Sequence, residues 1–511
     1  MSSRRADTGA GPSGNSVSRG AAASTPGGRH LGRGSNGHPV LRAVALILSL
    51  TLVSGLVFVG VQLIRLQQNF DTKPLNLGSN QESVAPVDTN TDPLQILILG
   101  TDNREGQDSN NSDVMMLANM SADRSHVTVV SFPRDLLVPL PECLDPETGN
   151  IYPAVELGQL NGALGNGGPG CTVAAINELT GLSVDHFMMA DFNAVKELSN
   201  TLGGVEVCVN QPIEDDLSGL SLPAGVSSVK GDQALAFLRT RHGFGNGGDE
   251  GRIRAQQSFL ASMVRKVNDE GTLNNLPKLY SIAETVTRNL TVDKELTEVS
   301  SLIALAGRLK DVDLSRVAFV TAPVVPYEYD ANRLVLDEAA ATPLFEALVA
   351  DQDITEPETE PAPESTSPDG TADPSEPVEE APAFDPASIP VTILDATGNT
   401  SDAGTKSRDQ ALAAYLLSEG YTLSTAGGQT AAASPATQIF YAPGYLEMAE
   451  QVAAALAVPT VQVVASNLVA GVSVQVGQDF ATENTMPDAG NVGDLSGQTA
   501  AQVTCQSAFG N

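Results

Sequence analysis

The stretch L-Q-I-L-I-L-G-T-D-N-R, from Leu94 to Arg104, decides what kind of domain this chain can form. Its apolar run, Leu94 to Leu99, has the length of a buried strand. A glycine and a carboxylate, Gly100 and Asp102, follow at once. That order is typical of an active-site loop at the end of a strand. The stretch therefore predicts a sheet with chemically useful side chains at one of its edges.

Two further strand-like runs follow, and each carries charged residues at or beside one end. Asp113 opens the run D-V-M-M-L-A-N-M, and the run from Val127 to Ser131 leads into F-P-R-D, with Arg134 and Asp135. Any one of these carboxylates could be an ordinary turn or cap residue. Since that explanation would be needed three times, the pattern favours a common site.

A second concentration of charge lies at residues 239–257, R-T-R-H-G-F-G-N-G-G-D-E-G-R-I-R-A-Q-Q. Four guanidinium groups this close repel each other unless an anion or carboxylates lie among them, and Arg forks match diphosphate oxygens well. A short helix, Gln233 to Leu238, delivers the first arginine, and a longer one, Ile253 to Val267, places Arg252 near a helix N-terminus that also favours an anion. The alternative is a solvated turn whose ion pairs are each worth about 0–1 kcal/mol. The charged residues of this stretch are Arg239, Arg241, Asp249, Glu250, Arg252 and Arg254.

Within that stretch, the glycine-rich part from Gly243 to Gly251 is predicted to be a flexible loop that can approach a ligand closely. Asp249 lies inside it, where it would orient an arginine or abstract a proton.

His126 and His186 show no triad spacing and are predicted to be structural.

Composition excludes several classes of function. The chain has 511 residues, enough for two or three domains, and a formal net charge of −33, which argues against a nucleic-acid partner. After Arg333 the only basic residues are Lys406 and Arg408, so the arginine-rich stretch stands out against an acidic background. The four cysteines show no C-x-x-C spacing and do not indicate a zinc site.

An uncharged apolar run from Ala43 to Ile64 predicts a single transmembrane helix. A signal peptide and a buried helix are the alternatives, but the run is long for a signal sequence and no cleavage site follows it. Basic residues precede the run, so the N-terminus is expected in the cytoplasm and the rest of the chain outside.

The predicted organisation has seven parts. A disordered basic segment (1–39), the transmembrane helix (40–65) and a tether (66–92) precede an α/β domain (93–350). An acidic linker (351–388) rich in Pro, Glu, Ser and Thr has no basic residue and cannot bury a core. A small α/β module (389–481), which lacks an arginine cluster and is assigned binding rather than chemistry, and a polar tail (482–511) complete the chain.

An exterior location permits disulfides. Cys143 and Cys171 are predicted to pair and to close an irregular segment between them, with a contribution of about 3–4 kcal/mol. Cys208 and Cys505 could pair only if the tail folds back, and four free thiols are the remaining alternative.

Four motifs, I-L-I-L-G-T-D-N-R, S-D-V-M-M-L, V-S-F-P-R-D, and R-T-R-H followed by D-E-G-R-I-R-A-Q-Q, come in the order of the LytR-CpsA-Psr (LCP) family, which residues 94–322 resemble. Residues 390–480 resemble the LytR C-terminal domain. The resemblance implies an α/β fold with a central mixed β-sheet flanked by helices, and a membrane-anchored extracytoplasmic enzyme. Such an enzyme transfers a glycan phosphate from a polyprenyl diphosphate carrier to peptidoglycan. The domain pair looks actinobacterial, and in mycolic-acid bacteria the glycan would be arabinogalactan.

The resemblance also implies residue roles. Asp102 and Asp113 match the metal-binding carboxylates, for Mg²⁺ or Mn²⁺, and Asp249 and Gln256 match the acidic and amide positions. Two positions depart from the family pattern: Gln159 stands where many members have Lys, and Ala255 stands where Arg is common, beside Arg254. The diphosphate-binding arginines would be Arg104, Arg134, Arg239, Arg241 and Arg252.

Phosphoryl transfer depends mainly on positioning and charge neutralisation. In this hypothesis Arg134, Arg239, Arg241 and Asp249 are catalytic, and Asp249 and Asp102 are the candidates for the general base. Two other hypotheses compete with the transferase: a hydrolase that uses water on the same diphosphate, and a non-catalytic wall-binding protein. A transcriptional attenuator fits poorly, because the site lies outside the membrane and the protein is acidic.

Overall fold

The computed structural model describes residues 39–69, 92–101, 112–145, 148–240, 243–244, 249–269, 275–310, 312–355, 384–398, 407–430, 433–434, 436–459, 462–480, 492 and 495–506. The predictions for residues 1–38, for most of the tether and for the centre of the acidic linker lie outside these residues.

Helix α1, Pro39–Asn69, contains the predicted membrane span and extends beyond it at both ends. Within the described part of the chain it is the one helix long and apolar enough to cross a membrane, over a window from Leu46 to Asn69. The chain divides into two compact units, Met1–Val61 and Gln62–Asn511, and everything below concerns the second. Its first residues are the last turns of α1, where Gln67 Nε2 donates to the Thr297 carbonyl over 3.1 Å.

A mixed seven-stranded sheet, counted over the described strands, forms the centre of the second unit. The neighbour order is β13, β8, β1, β2, β3, β14 and β22. β2 is antiparallel to β1 and β3, while β1 runs parallel to β8 and β3 runs parallel to β14. The bounds are β1 Leu94–Thr101, β2 Ser112–Met120, β3 Val127–Phe132, β8 His186–Ala190, β13 Leu290–Val292, β14 Val317–Thr321 and β22 Gly497–Thr499.

The apolar run of β1 is buried on both faces of the sheet, as its continuity predicts. Leu97 and Leu99 join one hydrophobic cluster, and Leu94 and Ile96 join another on the opposite face, because alternate side chains of a strand point in opposite directions. Helices α2 and α8 cover the first face, and α5 and α7 cover the second. The helices of this region are α2 Pro169–Thr180, α3 Phe192–Thr201, α4 Asp232–Arg239, α5 Asp249–Asp269, α6 Leu276–Asn289, α7 Val299–Leu309 and α8 Glu338–Val349.

Shorter strands build the parts around the main sheet. The segment predicted to be irregular between Cys143 and Gly170 has more order than expected, because β7 pairs with β4 there. The predicted disulfide between Cys143 and Cys171 is confirmed. These strands are β4 Leu137–Leu140, β5 Cys143–Leu144, β6 Ile151–Tyr152, β7 Val155–Gln159, β9 Val205–Val209, β10 Ile213–Asp215, β11 Leu220–Leu222, β12 Gly225–Val229, β15 Val324–Tyr327 and β16 Asp330–Leu336.

The C-terminal module has its own five-stranded sheet and its own core, centred on Ile393, Leu416, Ile439 and Val474. β17 lies between parallel neighbours β18 and β21, and helices α9 and α10 pack against the sheet. The alternation of strands and helices predicted from the sequence is therefore present. The elements are β17 Val391–Asp395, α9 Arg408–Ser418, β18 Ser424–Gln429, β19 Gln438–Tyr441, α10 Leu446–Leu456, β20 Val463–Ala465 and β21 Val472–Val476.

The end of the chain is not a separate polar tail, and that prediction is wrong for residues 495–506. β22 completes the main sheet beside β14, and β23, Cys505–Gln506, pairs with β9. The tail folds back, and Cys208 and Cys505 form a disulfide. Gly497 packs so closely on the backbone of Phe319 that a side chain at this position would collide with it.

Candidate functional site

The junction of β1 and β2 presents Asp113. Gly100 pairs with Val114 but Thr101 pairs with Ser112, so the register skips Asp113, which forms a bulge. A bulge re-aims the side chain of the extra residue. Gly100 is required here because a Cβ atom would lie 2.9 Å from that of Val114. Local strand geometry therefore places one predicted metal carboxylate at the edge of the sheet.

Arg134 follows the end of β3 and connects two carboxylates. Its Nη1 lies 3.2 Å from Asp113 Oδ1, and its Nε lies 3.2 Å from Asp135 Oδ2. Burial alone would lower the pKa of Arg134, but the charge of Asp135, the hydrogen bond to Asp113 and the charge of Asp249 outweigh it and raise that pKa. Arg134 is thus a fixed cation beside Asp113.

Asp135 organises the outer side of this arginine, a role that the sequence does not reveal. Its Oδ1 accepts a hydrogen bond from Gln159 Nε2 over 2.8 Å and lies 3.0 Å from Nη1 of Arg333. Gln159, one of the two departures from the family pattern, therefore contacts the same carboxylate as Arg134. Arg333 comes from a distant hairpin, and no local motif marks it.

The end of α4 positions Arg239. The guanidinium carbon of Arg239 lies 4.6 Å from the centre of the Phe192 ring, a distance typical of cation–π contacts. The next residue, Thr240, donates to buried Asp215. Burial alone would raise the pKa of Asp215, but hydrogen bonds from Thr240, Ser218 and the backbone hold it below its ordinary value. The sequence does not mark Phe192 and Asp215 as neighbours of Arg239 and Thr240, because both residues are far from them in the chain.

The first turns of α5 carry the other predicted residues. The helix begins at Asp249, so Gly251 is helical and the predicted loop from Gly243 to Gly251 is wrong at its end. Asp249 Oδ1 forms an ion pair with Arg252 Nη2 one turn later. Gln256 Nε2 donates to the Leu238 carbonyl over 3.2 Å and joins α5 to α4. Of the two roles considered for Asp249, this contact favours orientation of an arginine.

A cavity of about 450 Å³ brings these elements together. Its polar lining includes Asp113, Arg239, Arg252 and Gln256. Arg134 is joined to this set through Asp113, and Asp249 through Arg252. Most of the remaining wall is apolar, and helices α3, α4 and α5 supply much of it: Phe192, Val195, Leu235, Leu238 and Leu260, with Ile98, Val114 and Met116 from the sheet.

Three predicted site residues, Asp102, Arg104 and Arg241, lie outside the described residues, beside the described Thr101 and Thr240. In the part of the chain that the structure describes, no three acidic, His or Cys side chains form a metal-binding group. Asp113 is paired with Arg134, as expected if it were only an ion-pair partner. Of the two predicted metal-binding carboxylates, Asp102 and Asp113, only Asp113 belongs to the described residues.

The arrangement is suited to an anion attached to an apolar chain. Two arginines and an amide reach the cavity, and guanidinium groups bind phosphate oxygens through charge-assisted hydrogen bonds. Apolar side chains from the three helices offer contact to hydrocarbon, since burying apolar surface is favourable at roughly 25 cal/mol per Å². The anionic group and the apolar chain of such a ligand would contact different walls of the cavity.

The chain is similar to proteins of cell-wall assembly. It is 29% identical over 462 residues to "Cell wall biosynthesis protein LcpA" of Corynebacterium glutamicum, with 83% of this chain and 82% of that protein covered. It is 26% identical over 280 residues to the "Polyisoprenyl-teichoic acid--peptidoglycan teichoic acid transferase TagT" of Bacillus subtilis, covering 52% of this chain and 81% of that one. A solved "LytR-Csp2A-Psr enzyme from Actinomyces oris" aligns with a TM-score of 0.42 and 24% identity over 52% of this chain and 94% of the other.

Two family models match. Residues 388–480 match the model described as "LytR cell envelope-related transcriptional attenuator", which corresponds to the C-terminal module. Residues 64–348, more than half of the chain and the whole region around the cavity, match the LytR_cpsA_psr model. The chain therefore belongs to the LytR-CpsA-Psr family.

Proposed function

We propose that this protein transfers a glycan phosphate from a polyprenyl diphosphate carrier to a sugar hydroxyl of peptidoglycan. The observation that carries the proposal is the cavity itself, where Arg239, Arg252 and Gln256 share one space with an extended apolar wall. The relatives named as a cell wall biosynthesis protein and as a polyisoprenyl-linked teichoic acid transferase support the same class of reaction.

The donor would bind with its lipid against α3, α4 and α5 and its diphosphate against the arginines. Arg252 is almost fully buried, so its charge is little screened by water and acts strongly on a phosphate. The ring of Phe192 limits where the Arg239 guanidinium can move. Preorganised cations of this kind favour the transition state because they need no reorientation during the reaction.

In the transfer step, the acceptor hydroxyl oxygen forms a bond to the phosphorus next to the glycan. The bond between that phosphorus and the bridging oxygen breaks, and polyprenyl monophosphate leaves with the electron pair. The hydroxyl proton passes to a carboxylate or to water. Asp249 forms an ion pair with Arg252, so its proposed role is to orient Arg252.

We propose that a divalent cation, Mg²⁺ or Mn²⁺, binds beside Asp113. Its carboxylate offers hard oxygen atoms on the cavity wall, because the side chain is partly exposed and the residue forms the bulge of β2. Asp102 would be its partner after Thr101. When bound, the cation would neutralise charge on the diphosphate. In its absence, Arg134 is the group that offsets the charge of Asp113.

We place the site outside the cytoplasm, with α1 as the membrane anchor. Basic residues that precede the span support this orientation. Two disulfides support it too, because such bonds persist in oxidising compartments. Arabinogalactan as the glycan remains a prediction, and identification of the transferred glycan would decide it.

The experiment compares wild type and Arg239→Ala with a synthetic lipid-linked oligosaccharide diphosphate and soluble peptidoglycan strands. Loss of one charge-assisted contact should reduce transfer by about 100- to 1,000-fold, and Arg239→Lys should recover little because it lacks the planar fork. Arg288→Ala removes an exposed arginine paired with Glu284 and should leave the rate unchanged. Equal product from Arg239→Ala would exclude the proposed role. Phosphate release by wild type without strand modification would identify a hydrolase instead.

A further inference from the structure

The hairpin of β15 and β16 is a part of the domain that the proposed transfer has not used. At its base, Val324, Leu334 and Leu336 pack against the main core. Its tip carries Tyr327 and Tyr329, with ring centroids 5.3 Å apart and planes at 63°. Tyr329 is 79% exposed. In a chain with eight tyrosines and no tryptophan, two aromatic rings on one protruding turn are unlike ordinary surface.

The base of the hairpin is attached directly beside Arg134. The Leu334 N–H donates to the Asp135 carbonyl over 3.3 Å, and Leu334 forms a bridge with Leu136. The Arg333 side chain meets the Asp135 carboxylate, which holds Arg134 on its other oxygen. The hairpin thus extends from the cationic side of the site towards solvent.

The chemistry of the tip indicates what it binds. Tyrosine rings offer apolar faces with a polar edge, which suits the C–H faces and hydroxyl groups of sugars. Glu328 and Asp330 flank Tyr329, and this negative charge disfavours an anionic lipid surface or a polyphosphate. Arg333 supplies one cation at the inner end, a match for a single carboxylate. From Asp330 to Arg333 the chain spans roughly 10 Å at about 3.3 Å per residue.

We propose that this hairpin receives the acceptor, a glycan strand of peptidoglycan. Tyr327 and Tyr329 stack on its sugar rings, and Arg333 contacts a carboxylate of an attached peptide. The strand is thereby directed towards Arg134 and the cavity. The inference rests on the proposed function, because it identifies the element that recognises the second substrate of that reaction.

The test measures transfer by the full chain in detergent as a function of strand concentration. Tyr327→Ala/Tyr329→Ala should raise the KM for strands about tenfold, from the loss of two aromatic contacts. The KM for the lipid-linked donor should stay unchanged. Tyr327→Phe/Tyr329→Phe keeps the rings and should restore most of the affinity. Leu468→Ala, at an equally exposed apolar residue of the C-terminal module, should have no effect.

Direct titration of the same strands into the full chain separates this inference from the proposed function. Weaker strand binding by Tyr327→Ala/Tyr329→Ala supports the proposed role of the hairpin even if wild type shows no transfer activity. Equal binding by wild type and variant overturns it. So does an equal loss of donor and acceptor affinity, because the hairpin would then only support the fold of the site.

Discussion

Asp293 is a residue whose single carboxylate holds several elements in place. It accepts the backbone N–H groups of Phe187, Glu295 and Leu296 and lies 3.3 Å from Nδ1 of His186. Both side chains are almost fully buried, which agrees with the structural role predicted for His186. Burial alone would raise the pKa of Asp293, but the hydrogen bond and charge of His186 and the backbone donors lower it.

Asp293→Asn should destabilise the domain by about 3 kcal/mol at neutral pH, because it leaves buried donors facing an amide. A carboxyl whose folded pKa is lowered stabilises fully above its unfolded pKa of about 3.9 and loses that contribution as pH falls through the folded value. The difference in free energy of unfolding between variant and wild type, measured in urea from pH 7 to pH 3, should therefore be constant near neutral pH. It should become smaller as the pH approaches 3. Asp385→Asn, at an exposed cap where Asn also accepts a hydrogen bond, is the control. A difference that widens towards low pH would contradict the argument.

Asp113 tests the proposed cation. If Asp113 holds Mg²⁺ or Mn²⁺, transfer should stop in EDTA, return with either ion, and be lost in Asp113→Asn with little change in melting temperature. If the Asp113 carboxylate only forms an ion pair with Arg134, Asp113→Asn should lose stability, and transfer by wild type should be insensitive to EDTA. Full turnover of the lipid-linked donor in EDTA would decide against the cation.

Sequence predicts some site residues and not others for a physical reason. Arg239 and Arg252 are recognisable because four arginines in one short stretch need an anion or carboxylates among them. Asp113 is recognisable because it opens an apolar run. Asp135 is recognisable beside Arg134, but its contacts with Gln159 and Arg333 are not, because those residues are far away in the chain. Phe192 and Asp215 likewise contact Arg239 and Thr240 from distant parts of the sequence, and nothing beside them marks those contacts.

At the level of elements, α5 connects the site to the core. Its first turns hold Asp249 and Arg252, and Gln257 donates to Ser131 and Thr321 on two neighbouring strands of the main sheet. Gly251 lies between Asp249 and Arg252, and a Cβ atom there would be 2.9 Å from the Phe244 carbonyl oxygen. The helix can approach that backbone only with a glycine at this position.

Gly251→Ala should destabilise the protein, although alanine in a helix usually stabilises by about 1 kcal/mol relative to glycine. The clash should displace Arg252 and weaken donor binding. Gly307→Ala in α7 is the matched control, because no atom lies near the added methyl group, and it should be neutral or stabilising. Thermal unfolding and donor KM of both variants are the measurements. A stabilised Gly251→Ala with unchanged donor KM would show that the close approach is unimportant.

Elements with a continuous apolar run are predictable, and weakly patterned ones are not. The runs of β1, β3 and β14 mark strands that the sheet buries. β18 has the sequence S-T-A-G-G-Q, which has neither alternating apolar and polar residues nor large side chains. β22 and β23 are three and two residues long, so only their partners define them as strands.

For the whole molecule, the last described residues join both domains. β22 pairs with β14 of the main sheet, while Gln438 and Gln462 of the C-terminal module donate to carbonyls of Cys505 and Val503. The disulfide between Cys208 and Cys505 links positions 297 residues apart, which the chain-entropy model values at about 6 kcal/mol. The C-terminal module is thus held against the catalytic region by the strand that follows it.

Cys208→Ser/Cys505→Ser should lower the melting temperature and make the linker between the domains easier to cleave. After cleavage, wild-type fragments should stay together on a non-reducing gel and the variant fragments should separate. Cys143→Ser/Cys171→Ser, which opens a loop with a sequence separation of 28, should leave the wild-type pattern of cleaved fragments unchanged. Separation of wild-type fragments without reductant would disprove the pairing.

The position of β22 has a consequence for biosynthesis. About 175 residues separate the end of β14 from Gly497, and a ribosome needs on the order of 10–30 s to add them. Until then β14 has an unpaired edge, which is open to pairing with other chains. A nascent chain that stops before Gly497 would contain every residue of the cavity and still have this exposed edge, which makes it prone to aggregate. Synthesis of β22, rather than completion of the catalytic segment, is therefore the event after which the main sheet can close.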